Sequence, residues 1–460
     1  MLNVSITPHR EFLPANSPDQ KLFLMLKVRP TQEVAQTRPS TTFAFVIDTS
    51  GSMYEGIIGV PQPTGRSVFV DGNSYQEVTG VTSKIDIVID SLFALVKSGR
   101  LKPDDRVAII QFDDSASTLI GLTPATQVSQ LEDAIACLRN YSGGTRMGLG
   151  MRHGLNLLAP QNMTIKRALI FTDGETFDED QCRELAQEFA LNNIPITALG
   201  VGEYAEDLLI HLSDTTGGKL FPIVPENATG NAVSIADLPA TIIEEFSLAQ
   251  QEVITNLALT VKTVKGAKLT RIVRAYPEQA EFPLTLDPHP IGNAIANDET
   301  VFILEFTLES RPQARVRVAQ LGLTYEIPGQ KRRGELPPQN VVVQFVAGQM
   351  GAQVDQEVMG YLQQCNIAQL VKQATQIADH NPQQAEHLLE TARRMTVKIG
   401  NNAMTETLTE VQNELRKTQK ISSGTRKTVK MGSKGKTVRM NNNDINQEIT
   451  DEQIRKASGT

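Results

Sequence analysis

The chain reads as an α/β protein: a doubly wound, mostly parallel sheet inserted in or flanked by a β-sandwich, then a helical segment and a disordered tail. Three observations carry this reading. Between residues 41 and 245, short β-rich apolar runs alternate with helical periods. On either side, strands with period-two stretches follow one another with no helices between them. Beyond residue 421 apolar residues become sparse, and Gly, Ser, Thr and Lys take their place.

In chain order, residues 1–40 contribute "LNVSITP" and "KLFLMLKVRP", too few strands for a stable sheet of their own. They are expected to join a later sandwich. In residues 41–245 the apolar runs are "TTFAFVID", "RVAIIQF", "RALIFTDG", "PITALGVG" and "KLFPIV". Helical periods at 84–99, 127–140, 146–159, 179–192 and 205–214 lie between most of them. Near-continuous apolar strands joined by helical crossovers indicate a parallel sheet covered on both faces. "STLIGLT" follows "RVAIIQF" after only "DDSA", too short for a crossover, so it is expected as an antiparallel edge strand. Residues 246–350 return to strands and predict the sandwich. Residues 351–420 turn helical: Val354, Val358, Tyr361, Leu362, Cys365, Leu370 and Val371 sit at helical spacing, and Asn381-Pro382 is a cap and first-turn pair. The last stretch, 421–460, is expected to be flexible.

The bulk numbers suit a soluble globular protein. The 460 residues allow two or three domains, with 40% apolar and 21% charged residues. No run of eighteen apolar residues occurs, and the opening residues lack the pattern of a secretory leader. Cys137, Cys182 and Cys365 are odd in number and far apart, which fits a reducing compartment and a cytoplasmic location. The six histidines are scattered and are expected to be structural or solvent-facing. Net charge is −8, yet nine basic side chains and no acid lie between Arg416 and Met440, so the remainder sums to −17. Such a tail is drawn to acidic surfaces.

The most informative stretch is "FAFVIDTSGSMYEG", residues 43–56. An apolar strand ends at Asp48 and presents Ser50 and Ser52 on a turn that Gly51 keeps tight. Ligands of open α/β sheets bind outside the carboxyl ends of the strands. Two hydroxyls beside a carboxylate form a hard-oxygen cradle suited to Mg²⁺. "GGTRMG" (143–148) sets Thr145 in a Gly-flanked loop just before a helix, and "ALIFTDGE" ends another strand at Asp173. Were the hydroxyls merely turn caps and Asp173-Gly174 merely a tight turn, the coincidence of three loops would go unexplained.

These five positions resemble the metal-ion-dependent adhesion site (MIDAS) of the von Willebrand factor A (VWA) domain, a Rossmann-like fold, and the resemblance spans roughly residues 41–245. It implies that Ser50, Ser52 and Thr145 coordinate Mg²⁺ or Mn²⁺ directly. Asp48 and Asp173 would act through metal-bound water. A sixth position would await an Asp or Glu carboxylate from a partner protein. With few charged direct ligands the cation stays electrophilic, which agrees with that role. One departure concerns residues 54–82, which intervene before the first helix. Asp71-Gly72 between β-prone runs predicts a hairpin there, expected to form a wall beside the metal.

Enzymatic chemistry finds no support. An aspartyl phosphatase wants a second acid two residues after Asp48, where Ser50 stands. No Gly-x-Ser-x-Gly elbow is present, and "GSKGKT" fails as a phosphate loop because Lys430 occupies the place of its first glycine.

The tail carries an internal echo, Lys427-Thr428-Val429-Lys430-Met431 and Lys436-Thr437-Val438-Arg439-Met440, with a looser copy around Thr418. Thr418, Thr425, Thr428 and Thr437, set among basic residues, resemble substrates of basophilic Ser/Thr kinases. The Met three places after Thr428 and Thr437 resembles ligands of forkhead-associated (FHA) domains. The plainer alternative is a solvated basic tail that binds acidic surfaces; without aromatic residues, base stacking is unsupported.

The reading at this level is a cytosolic, bacterial-type scaffold or adaptor that binds protein through a metal, in Ser/Thr-kinase signalling, with no specific nucleic acid or membrane partner. The rival is an accessory subunit of an AAA-type ATPase or a metal-chelatase-like complex.

Overall fold

The computed structural model describes every residue except 19, 71–72, 203, 225–231, 349–353, 436 and 441–460. The chain divides into two compact units: residues 37–255 with 326–332, and residues 1–36, 256–325 and 333–460.

The first unit is built on a seven-stranded sheet. Its spatial order is Val233–Ser234, Leu220–Val224, Ile196–Val201, Ile165–Thr172, Thr41–Asp48, Arg106–Phe112 and Ala116–Pro124. Every pairing is parallel except the last, so Ala116–Pro124 is the antiparallel edge expected from its short connection. Thr41–Asp48 is buried at all eight positions, because it lies between two parallel neighbours with apolar side chains on both faces. Helices Lys84–Lys97, Val128–Cys137, Met147–Leu158, Glu179–Leu191 and Glu206–Thr216 match the expected helical periods. A further helix, Leu238–Ala249, goes beyond the sequence reading. Its Pro239 fits the first turn, and Leu238, Ile242 and Phe246 enter the core, with Phe246 4.8 Å from Phe43 between ring centroids.

Two details position the site. After Thr41–Asp48 the chain crosses to Arg106–Phe112 on one side, whereas Ile165–Thr172 leads to Ile196–Val201 on the other. The connections therefore diverge between these two central strands, the place where open α/β sheets bind ligands. Second, Gly150 lets helix Met147–Leu158 approach the sheet closely: a Cβ there would lie 2.8 Å from Phe112 Cδ1 and 2.9 Å from Val46 Cγ1.

The insertion is a β-ribbon of Gly56–Val70 antiparallel to Asn73–Ser83, as the hairpin signal predicts; Asp71 and Gly72 themselves lie outside the described residues.

The second unit contains two five-stranded sheets. One runs Leu2–Pro8, Gln20–Pro30, Thr300–Leu308, Ala267–Tyr276 and Ala280–Phe282. The other runs His289–Ile295, Glu252–Thr263, Ala314–Ile327, Arg332–Val346 and Phe12–Pro14. The N-terminal strands thus join later ones, in both sheets. Helices Gln356–Ile377, Pro382–Lys398 and Asn402–Thr418 follow, each capped by a side chain: Asp355, Asn381 and Asn401 accept from the N–H of Val358, Gln384 and Met404. Among the described residues no helix is long and apolar enough to cross a membrane.

The expected disorder from residue 421 is corrected by the structure. Ser423–Gly435 is a helix, and its Val429 is fully buried in a cluster with Val371, Leu389, Leu408 and Leu415. Residues 437–440 then form a strap against the sheet and helix Gln356–Ile377. Met440 and Val438 pack with Met25, Val301 and Tyr361. The Val438 N–H donates to Gln364 Oε1 at 2.7 Å, the Met440 N–H to Tyr361 Oη at 3.2 Å, and the Thr437 hydroxyl to the Pro277 carbonyl. The valines of the echo are thus anchors. A composition too poor to build a core can still fill grooves that other elements have built. Residues 441–460, the rest of the expected tail, lie outside the described residues.

Candidate metal centre

The two central strands are in register so that Ile47 faces Phe171, which brings Asp48 beside Thr172 and Asp173 at their carboxyl ends. Asp48 is fully buried. Its Oδ1 accepts from the Ser50 N–H at 2.8 Å and its Oδ2 from the Thr172 hydroxyl at 2.7 Å. The Ser50 and Ser52 hydroxyl oxygens are 3.2 Å apart, and Ser52 Oγ donates to Asp173 Oδ1 at 2.7 Å. Four of the five expected residues are thus linked in one cluster.

Thr145 arrives through its loop. The Gly51 N–H donates to the Gly143 carbonyl at 2.9 Å, joining the serine loop to the threonine loop two residues before Thr145. The Thr145 carbonyl accepts from the Phe177 N–H at 3.0 Å and the Thr176 hydroxyl at 3.1 Å, joining it to the loop after Asp173. The Gly144 N–H donates to Asp114 Oδ2 at 2.9 Å and the Arg146 N–H to the Asp113 carbonyl at 2.9 Å. Gly144 lets Asp114 come this close, since a Cβ would stand 2.6 Å from Asp114 Oδ1 and push that side chain aside. Asp178 Oδ1 accepts from the Gly148 N–H at 3.1 Å, in the first turn of the following helix. Three loops are thereby stitched to one another, independently of any ion.

Burial pushes the Asp48 carboxyl up to about 6, against the hydrogen bonds from Ser50 and Thr172 that favour its charged form; the nearby Asp173 adds to the rise. A buried carboxylate with its pKa raised in this way gains from a neighbouring cation.

Several participants escape sequence reasoning. Lys84, the first residue of its helix, donates through Nζ to Asp173 Oδ2 and to Glu55 Oε2, each at 2.7 Å. Burial opposes the charge of Lys84, yet its bonds to Asp173 and Glu55 hold the ammonium above its usual pKa. Thr172 could have been noticed as a hydroxyl directly before Asp173; Asp113 and Asp114 carry no spacing signal. Phe177, 77% exposed, lies with its ring edge beside Gly144, at the rim of the cluster.

The donor set fits a divalent ion of the Mg²⁺ class: hydroxyl and carboxylate oxygens, with nitrogen and sulfur absent from it. Among the described residues no group of three or more His, Cys, Asp or Glu is placed to hold a metal ion.

The tail threonines lie elsewhere. Thr418 is exposed at the end of its helix, with its hydroxyl donating to the Glu414 carbonyl at 2.9 Å. Thr425 and Thr428 are half-buried on the last helix, and the Thr428 hydroxyl donates to the Gly424 carbonyl at 3.0 Å. Thr437, also half-buried, is tied down in the strap.

Comparison with known proteins agrees with this architecture. Residues 43–233 match the von Willebrand factor type A domain, and residues 356–439 match the Sll0103-like, C-terminal alpha-helical domain. The chain is 22% identical over 454 residues to a Synechocystis sp. protein described as "Uncharacterized protein sll0103", covering 94% of this chain and 97% of that one. Among solved structures, a von Willebrand factor type A protein from Catenulispora acidiphila superposes with a TM-score of 0.72 at 16% identity, covering 95% of this chain and 97% of that chain. The ArnB paralog VWA2 from Sulfolobus acidocaldarius gives 0.57 at 14% identity, covering 95% and 100%. At these identities the likeness is one of fold. Residues 43–233 are a von Willebrand factor type A domain, and the last helices are a domain with relatives of their own.

Proposed function

From a chain that carries a von Willebrand factor type A domain, we propose a non-enzymatic scaffold or adaptor that binds a partner protein through a divalent ion, Mg²⁺ or Mn²⁺, at Asp48, Ser50, Ser52, Thr145 and Asp173. The observation that carries this reading is the convergence of Ser50 Oγ, Ser52 Oγ and Asp173 Oδ1 within hydrogen-bonding distance at the switch point of the sheet. The ion would supply Lewis acidity toward an Asp or Glu side chain of the partner. Buried Asp48 would balance its charge, and the serines and Thr145 would hold it without neutralising it.

Two exposed features would shape the choice of partner. Phe177 offers an apolar contact beside the Thr145 loop. The ribbon rises from Glu55 and Lys84 at the edge of the cluster and exposes Ile58 and Val60 at 46% and 76%. A partner with an acid next to an apolar side chain satisfies both features. Removing residues 57–82 is expected to change partner choice and leave metal binding intact.

The kinase-substrate and FHA-ligand reading of Thr428 and Thr437 finds no support in a segment that is folded, with both hydroxyls already hydrogen-bonded. Affinity capture with wild type and Asp48→Ala, each with and without a chelator, tests the proposal. A protein lost with the chelator and lost in the variant supports it; a partner retained in both cases refutes it. A captured ATPase would identify the accessory-subunit role.

A further inference from the structure

Lys84 is out of place by the ordinary rules of helix design. A cation in the first helical turn opposes the partial positive charge of the helix N-terminus. Ser83 and Asp86 already form a capping box there, so Lys84 is not needed to start the helix. Its side chain is nonetheless nearly buried, at 10% exposure, against an Asp173 side chain with none. A local rule broken at a buried position next to a candidate site points to a role in that site.

We propose that the Lys84 ammonium is a built-in counter-ion of the metal cradle: by neutralising Asp173 it weakens the grip on the divalent ion and leaves a bound ion electron-poor toward an incoming carboxylate. This inference rests on the metal-site reading of Asp173. Asp48 and Asp173 alone would set two negative charges against the ion; Lys84 cancels one of them. Glu55, the other partner of Lys84, is 57% exposed and screened by water, so it restores little of that charge. The same residue clamps the two feet of the ribbon: its backbone N–H donates to the Glu55 carbonyl at 3.2 Å while its ammonium holds the Glu55 carboxylate.

Calorimetric titration of the full chain with Mn²⁺ tests the idea, with and without acetate as carboxylate probe. Lys84→Gln and Lys84→Met are expected to bind Mn²⁺ roughly tenfold tighter than wild type, the size of a unit charge removed one carboxylate away in partly solvated surroundings. Acetate should tighten Mn²⁺ binding to wild type more than to either variant. Lys84→Arg keeps the charge and should titrate like wild type. Glu55→Gln breaks the clamp and keeps the ammonium, and should stay within about threefold of wild type. Circular dichroism confirms folding, and Lys84→Gln, which retains a donor to Asp173, serves if Lys84→Met does not fold. Unchanged or weaker Mn²⁺ binding in a folded Lys84 variant, with wild type binding normally, overturns the proposal and leaves the metal-site reading standing. A wild type that takes up no Mn²⁺ removes both.

Discussion

Replacing Asp48 with asparagine isolates the electrostatic strain at the centre of the site. The Asp48 carboxyl lies at about 6, against 3.8 for an unperturbed aspartate. The folded state therefore holds the proton more tightly than the unfolded chain does. The stability this contributes is fully present below about pH 4 and is lost as the pH rises through 6. A shift of two units corresponds to about 3 kcal/mol, of which about 2 kcal/mol falls between pH 4.5 and 7.5. The carboxamide of Asp48→Asn does not titrate. It keeps one acceptor for either the Ser50 N–H or the Thr172 hydroxyl and faces the other with its own amide, a constant cost of about 1–3 kcal/mol. Urea unfolding of both proteins in chelator, followed across that pH range, should show wild type losing about 2 kcal/mol relative to Asp48→Asn as pH rises. At pH 7.5, millimolar Mg²⁺ should restore wild type and do little for the variant, since a ligand stabilises only the state that binds it. A wild type–variant difference that stays flat with pH, or equal stabilisation of both by Mg²⁺, would refute the reasoning.

Other expectations concern packing and surface. Gly150→Ala should destabilise the α/β unit by about 1–3 kcal/mol despite a better helix propensity, because the new methyl meets Phe112 and Val46; thermal unfolding reads this. Val429→Ala should cost about 2 kcal/mol by opening a cavity among Val371, Leu408 and Leu415; no change in urea midpoint would mean the last helix is not docked. Thr437→Glu sets a charge against the Pro277 carbonyl, so it should release the strap and speed limited proteolysis after residue 430. Phe177→Ala should leave the unfolding temperature of wild type unchanged, the side chain being mostly exposed, while reducing capture of the partner.

How far the sequence discloses this protein depends on where the stabilising contacts come from. Strands such as Thr41–Asp48 and Ile165–Thr172 are buried on both faces, so they announce themselves through the apolar runs at their centres, residues 43–47 and 168–171. Asp48, Ser50, Ser52 and Asp173 are legible because chemistry of one kind recurs at strand ends. Lys84 is not, because its meaning comes from a partner 89 positions away, and lysines at helix starts are usually solvated. The segment after residue 421 misleads for a related reason. Its order depends on a few anchors, Val429, Val438 and Met440, whose grooves are supplied by distant parts of the chain. Composition measures what a segment brings, whereas docking depends on what awaits it.

The packing of Met440 with Met25 and Val301 in one apolar cluster bears on biosynthesis. The unit formed by residues 1–36, 256–325 and 333–460 is assembled from three separated stretches, so synthesis must pass residue 440 before Met440 can complete its cluster. The intervening 37–255 segment holds all seven strands of its sheet and can mature while synthesis continues. Until then Leu2–Pro8 and Gln20–Pro30 can pair only with each other, and the edge of Gln20–Pro30 that later receives Thr300–Leu308 stays open, an exposure that invites chaperone capture.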